Sequence, residues 1–196
     1  GYVIAIPDAD QTPEQLVGLT DGDPRLQMAT RELSAAGQIV IIPALIDRQL
    51  YAGPNGDDTR LKRSAQSHRE WIYRQAFHMG RHVLGYEVQK VLAAVDWIAG
   101  HSPDASVRVI GVGEGALIAF YATACDPRID AVDLHGNFGS RENVWSEPIY
   151  HNVFGLLREF GDAELVSLIA PRDLKVFSTA HRVAENQKGT LVPFDM

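Results

Sequence analysis

The chain alternates short apolar runs with longer segments in which apolar residues recur at helical spacing. The first run, residues 2–6, is continuous and ends at Pro7, which predicts a strand buried on both faces. Four similar runs predict the remaining strands, at residues 38–43, 107–110, 131–134 and 174–177. Helical periodicity in the intervals predicts helices that include residues 69–82, 86–99 and 149–160. In the second of these, one face carries Val88, Val91, Leu92, Val95 and Ile98. Strands that alternate with helices in this way predict an α/β fold with a doubly wound, mainly parallel sheet between two layers of helices.

The stretch at residues 107–124 joins the third predicted strand to a helix through a glycine-rich turn, GVGEG, at residues 111–115. Glycines let strand and helix approach closely because they carry no Cβ. A nucleophile elbow, GxSxG, has the same layout of strand, turn and helix, and it holds its nucleophile in a strained conformation. We interpret Glu114 as the residue in the nucleophile position, where serine, cysteine or aspartate is usual.

Glu114 has three interpretations. It could attack a substrate as a carboxylate nucleophile, activate a water, or cap the helix in a fold without catalysis. The helix dipole favours its anionic form, so burial would have to raise its pKa before it made a good general base. Ligands bind beyond the carboxyl ends of parallel strands, and His135 and His181 follow the fourth and fifth strands. They are therefore the candidate proton shuttles.

Four segments of the chain resemble a group of bacterial α/β-hydrolases related to acetyl xylan esterases and dienelactone hydrolases, many of them large proteins of polysaccharide degraders. These segments are residues 6–19, 68–97, 109–132 and 147–174. The resemblance implies a partial α/β-hydrolase fold, because the five strands align with the third to seventh of the eight in that family. The implied order across the sheet is second, first, third, fourth and fifth strand.

The resemblance also implies a function. We expect hydrolysis of carboxylic esters without a cofactor, and the resemblance favours carbohydrate-linked acetyl or methyl esters. The implied oxyanion hole uses the backbone N–H of Gly115 and one near Ala9 or Asp10. The absence of a serine at the elbow favours an alternative, a non-catalytic module that binds carbohydrate or supports a neighbouring domain.

Composition limits the remaining possibilities. With 196 residues, 45% of them hydrophobic, we expect a single domain over residues 1–196, cut from a longer chain. The formal net charge of −7 argues against a nucleic-acid surface. No run is apolar and long enough to span a bilayer, and we expect no signal peptide within these residues. Neither the compartment nor the oligomeric state can be read from this composition.

Two further features concern a metal site and a loop. His78 and His82 lie four residues apart, the spacing of a two-histidine metal site, but the nearby charges of Arg74 and Arg81 oppose a dication. We therefore expect no metal there. The polar segment at residues 47–67 predicts a surface loop, either a solvated connection or a lid that faces a substrate.

Overall fold

A wholly parallel, five-stranded sheet lies at the centre of the structure. The computed structural model describes residues 1–50, 66–136, 141–178, 182–185 and 190–193. Most of the polar segment 47–67 and His181 lie outside these ranges. The strands are β1 (Tyr2–Ile6), β2 (Ile39–Ile41), β3 (Val107–Val112), β4 (Ala131–Gly136) and β5 (Asp173–Ser178). Their order is β2-β1-β3-β4-β5, which confirms the predicted order and the parallel direction.

Helices connect these strands. They are α1 (Pro13–Val17), α2 (Pro24–Ala35), α3 (His68–His78), α4 (Val83–His101), α5 (Glu114–Cys125), α6 (Leu156–Glu159) and α7 (Asp162–Ile169). Short 3-10 helices lie at Arg141–Ser146 and Ile149–His151. Local sequence sets the helix starts. Thr12 forms a capping box with Gln15, and the Ser67 hydroxyl accepts a hydrogen bond from the Glu70 N–H.

Two predicted helices are shorter in the structure than the apolar pattern indicates. The helix expected at residues 69–82 ends at His78, because Gly80 takes the left-handed conformation at φ 66°. The helix expected at residues 149–160 is divided into a 3-10 turn and α6, because Asn152 is extended and Gly155 has φ 78°. A regular helix cannot pass through a residue with positive φ.

The core forms where α4 and α5 pack on the sheet. Every residue of β1 is buried, as its continuous apolar run predicts. The inner face of α4 contributes Val91, Val95 and Ile98, which confirms the face predicted from its spacing. Helix α5 is buried along most of its length. The beginning of α5 is therefore held rigidly against the carboxyl end of β1.

A separate antiparallel hairpin, β6 (Arg182–Glu185) and β7 (Thr190–Pro193), was not predicted. Each strand has four residues, which is too short for the period-two pattern to stand out. In the described part of the chain, none of the helices is both long and apolar enough to cross a membrane.

Candidate active site

The turn from β3 into α5 is closely packed around its glycines. Gly113 has φ 58° and ψ −118°, a conformation that residues with a side chain rarely adopt. A Cβ on Gly111 would lie 2.3 Å from the carbonyl oxygen of Gly115, and a Cβ on Gly115 would lie 2.3 Å from that of Ile6. Both contacts are with backbone, so glycine is required on each side of the turn.

This geometry corrects the assignment of the nucleophile position. The strained residue of the turn is Gly113, whereas Glu114 is the first residue of α5. An elbow nucleophile occupies the strained position, so the equivalent residue here is Gly113. The sequence interpretation was wrong by one residue: Glu114 is equivalent to the residue that follows a nucleophile.

The side chain of Asp8, from the loop after β1, fills the space in front of Gly113. A Cβ on Gly113 would lie 2.6 Å from Asp8 Cγ. Asp8 Oδ1 accepts hydrogen bonds from the backbone N–H groups of Ala9 and Glu114, each at 2.9 Å. Hydrolase elbows build their oxyanion hole from the same two positions, the residue after the nucleophile and the loop after the aligned strand. The Asp8 carboxylate therefore accepts hydrogen bonds from the two positions that form the oxyanion hole in hydrolase elbows.

The Glu114 carboxylate lies at the centre of a buried charge cluster. Its Oε1 accepts a hydrogen bond from Arg69 Nη2 at 3.1 Å, and its Oε2 accepts from Arg48 Nη2 at 3.0 Å. His151 Nε2 lies 2.9 Å from the same Oε2. Burial alone would raise the pKa of Glu114, but the charges of Arg69, His151 and Arg48 hold it well below its usual range. Glu114 is therefore a weak base, and its side chain is 0% exposed.

Arg69 and Arg48 join this carboxylate to its neighbours. Arg69 is fully buried and makes paired hydrogen bonds to the two oxygens of Glu87, at 2.8 and 2.6 Å. Arg48 Nη2 also donates to Asp8 Oδ1 at 2.7 Å. The cluster thus runs without a break from Glu87 through Glu114 to Asp8.

His151 lies between two carboxylates. Its Nε2 faces Glu114, and its Nδ1 lies 2.9 Å from Glu147 Oε2. Burial lowers the pKa of His151, but Glu114 and then Glu147 outweigh burial and raise it to about 9. The ring is therefore an imidazolium at neutral pH. Because its pKa is raised, its pairs stabilise the fold fully below the unfolded value near 6.5 and lose that contribution as the pH rises through about 9.

The candidate two-histidine metal site has a different structure. His78 is exposed. His82 caps α4, since its Nδ1 accepts a hydrogen bond from the Leu84 N–H at 3.1 Å, which leaves Nε2 to donate to the Asn152 carbonyl at 3.2 Å. Burial lowers the pKa of His82. Among the described residues, no group of three or more His, Cys, Asp or Glu side chains is placed to hold a metal ion.

Comparison with known proteins identifies the fold. A crystal structure described as a putative acetyl xylan esterase, from Bacteroides fragilis, superposes with a TM-score of 0.68 over 92% of this chain, at 18% identity. The chain has the α/β-hydrolase fold. No family model matches it. A structure described as a putative dienelactone hydrolase, from Klebsiella pneumoniae, gives a TM-score of 0.47 at 15% identity, over 90% of this chain and 72% of that one.

One curated sequence relative covers part of the chain. "Putative hydrolase YtaP" of Bacillus subtilis is 31% identical over 110 residues, or 52% of this chain. This chain spans 36% of the length of that relative and 52% of the Bacteroides fragilis structure. The similarity therefore concerns a part of each longer protein.

Within this α/β-hydrolase fold, the predicted site residues take different places from those expected. The described histidine that meets Glu114 is His151, and not His135, whose ring stacks on Phe177 at 4.4 Å. His135 instead holds the turn through its carbonyl, which accepts from the Gly113 N–H at 2.8 Å. His181 lies outside the described residues.

The structure brings the N–H of Ala9, one of the two loop residues predicted as an oxyanion donor, together with that of Glu114 on Asp8 Oδ1. The other two predicted residues, Asp10 and Gly115, do not share this position. Asp10 turns outward and pairs with Arg48 at 2.7 Å. Gly115 has a packing role, because a side chain there would collide with the backbone of β1.

Proposed function

We propose that this α/β-hydrolase domain belongs to an enzyme that hydrolyses carboxylic esters at the turn between β3 and α5. The observation that carries the proposal is the pair of N–H groups, from Ala9 and Glu114, that converges on one oxygen in front of Gly113. Preorganised donors of this kind stabilise the oxyanion that forms during ester hydrolysis. The fold shared with the Bacteroides fragilis structure agrees with this location.

His151 is the proposed proton shuttle, with Glu114 as the residue that positions it. An imidazolium with a pKa of about 9 can donate a proton to a departing alcohol at neutral pH, and the neutral ring that results can accept one from water. Glu114 fits the positioning role because its carboxylate is buried and bonded on both oxygens. The His151 side chain is 16% exposed and is the more accessible of the two.

The proposed substrate is a carboxylic ester of a carbohydrate. A cleft of about 690 Å³ borders the segment that follows His151, within the range of about 300–1,000 Å³ usual for ligand pockets. It is lined by Phe77, Gly80, Arg81, His82, Gly85, Tyr86, Gln89, Val153 and Phe154. Aromatic faces beside hydrogen-bonding groups suit a ligand with apolar faces and hydroxyl edges, such as a sugar.

A second candidate function is a non-catalytic module that binds carbohydrate or supports a neighbouring domain. Two observations favour it: Gly113 has no side chain that could act as a nucleophile, and the Asp8 carboxylate already accepts hydrogen bonds from the N–H groups that would bind an oxyanion. In this case the charge cluster only stabilises the turn, and the cleft would bind its ligand without hydrolysing it.

Replacing His151 tests the proposed function. In the full-length protein, His151→Gln is expected to lower kcat/KM for 4-nitrophenyl acetate by about 100-fold or more, as is typical of lost acid–base catalysis. In the wild type, kcat/KM should decline as the pH rises through about 9, because the acid form of His151 is lost. The matched control is His78→Gln, an exposed histidine of α3, which should leave both results unchanged. If the wild type does not hydrolyse acetyl esters, including acetylated xylan, the second candidate stands.

A further inference from the structure

The geometry in front of Gly113 points to Asp8 as the nucleophile, and we propose that it forms the covalent intermediate of the reaction. This inference rests on the proposed ester hydrolysis. Asp8 comes from the loop after β1, but its carboxylate lies where the side chain of an elbow nucleophile would be. The Cβ of any residue replacing Gly113 would lie 2.6–2.8 Å from the carbon and oxygens of that carboxylate. The Asp8 carboxylate can therefore occupy this place only because residue 113 is a glycine.

The two oxygens of Asp8 have different surroundings. Oδ1 accepts hydrogen bonds from the Ala9 N–H, the Glu114 N–H and Arg48 Nη2. Oδ2 accepts no hydrogen bond from any residue that the structure describes. The side chain is 15% exposed, whereas that of Glu114 is 0% exposed. Asp8 is thus an oriented carboxylate with one oxygen bound and the other available to attack.

The occupied oxyanion hole indicates which carbon becomes tetrahedral. The Ala9 and Glu114 N–H groups contact Asp8 Oδ1, so the negative charge that they stabilise develops on this oxygen. Such charge develops there only when a nucleophile adds to Cγ of Asp8. Water attack on an Asp8 adduct is a reaction of this kind, and it returns the carboxylate to its starting position.

The reaction then has two steps. In the first, Asp8 Oδ2 forms a bond to the acyl carbon of the ester, the bond from that carbon to the alcohol oxygen breaks, and the alcohol takes a proton from the His151 imidazolium. In the second, water adds to Cγ of Asp8 and the bond from Cγ to the acyl-bearing oxygen breaks. His151 accepts one proton of this water and the other is released to solvent with the product carboxylate. One ester and one water yield one carboxylate, one alcohol and one proton.

Isotope labelling tests this assignment without a substitution. With full-length protein in excess over 4-nitrophenyl acetate in H₂¹⁸O, a single turnover should place ¹⁸O in Asp8, detected by mass spectrometry of the peptide that contains it. The released acetate should carry none. Label in the acetate alone would overturn the role of Asp8 while leaving ester hydrolysis intact, and failure of the wild type to hydrolyse the ester would overturn both.

A substitution gives an independent result. Asp8→Asn is expected to lower kcat by about 100-fold or more, and the variant should acquire no ¹⁸O at this position. Asp104→Asn, in an exposed turn after α4, is the matched control and should retain wild-type activity and labelling. An Asp8→Asn variant with wild-type kcat would also overturn the assignment.

Discussion

Arg69→Met is expected to lower the free energy of unfolding by about 3–5 kcal/mol, the usual effect of removing one partner from a buried ion pair. Arg69 is fully buried, bridges the carboxylates of Glu87 and Glu114, and donates to the Ile46 carbonyl at 3.0 Å. Methionine conserves much of the side-chain volume but leaves the buried Glu87 charge without its cation. The loss of unfolding free energy therefore measures the removal of the charge and not the creation of a cavity.

Arg74→Met is the matched control for this prediction. Arg74 lies on the same helix, α3, and pairs with Glu70 at 2.7 Å, but its side chain is 50% exposed. Exposed pairs contribute at most about 1 kcal/mol. Denaturant titration of both variants and the wild type measures the difference. Equal, small losses for the two arginines would show that the buried cluster does not stabilise the turn.

Glu114→Gln is expected to lower the free energy of unfolding by about 3 kcal/mol or more, because it leaves Arg48, Arg69 and His151 around a neutral amide. This exceeds the loss of about 1 kcal/mol that a capping role alone would produce. Glu164→Gln provides the control, since Glu164 lies in the first turn of α7, is exposed, and caps the Gly161 N–H at 2.8 Å. Similar losses of unfolding free energy in both variants would show that Glu114 stabilises the fold only as a helix cap.

The fold could be predicted because its signals lie in short stretches of sequence and in the order of strands and helices along the chain. Continuous burial of β1 follows from five adjacent apolar residues, and the inner face of α4 follows from its spacing. Strand order came from the resemblance to α/β-hydrolases and is confirmed by the pairing of β1 with both β2 and β3. The hairpin β6–β7 was missed because four-residue strands carry little periodic signal.

The site could be predicted only in part. The glycines of the turn indicated its place. Matching GVGEG residue by residue to GxSxG puts Gly113 at the serine position, so the choice of Glu114 shifted the motif by one residue, and the positive φ of Gly113 shows the shift. Arg69 and Glu87 lie 18 residues apart in helical segments where charged residues usually face solvent, so their burial was not expected. The one local signal for His151 is Glu147, four residues before it.

The charge state of His151 tests the central claim most directly, because the proposed chemistry requires an imidazolium held between the carboxylates of Glu114 and Glu147. The measurement is an NMR titration of the histidine rings in the full-length protein, with His151→Gln used to assign the signal. We predict a pKa of about 9 in the wild type and a clear fall towards the ordinary value in Glu114→Gln. A wild-type pKa at or below about 6.5, unchanged in Glu114→Gln, would contradict the account.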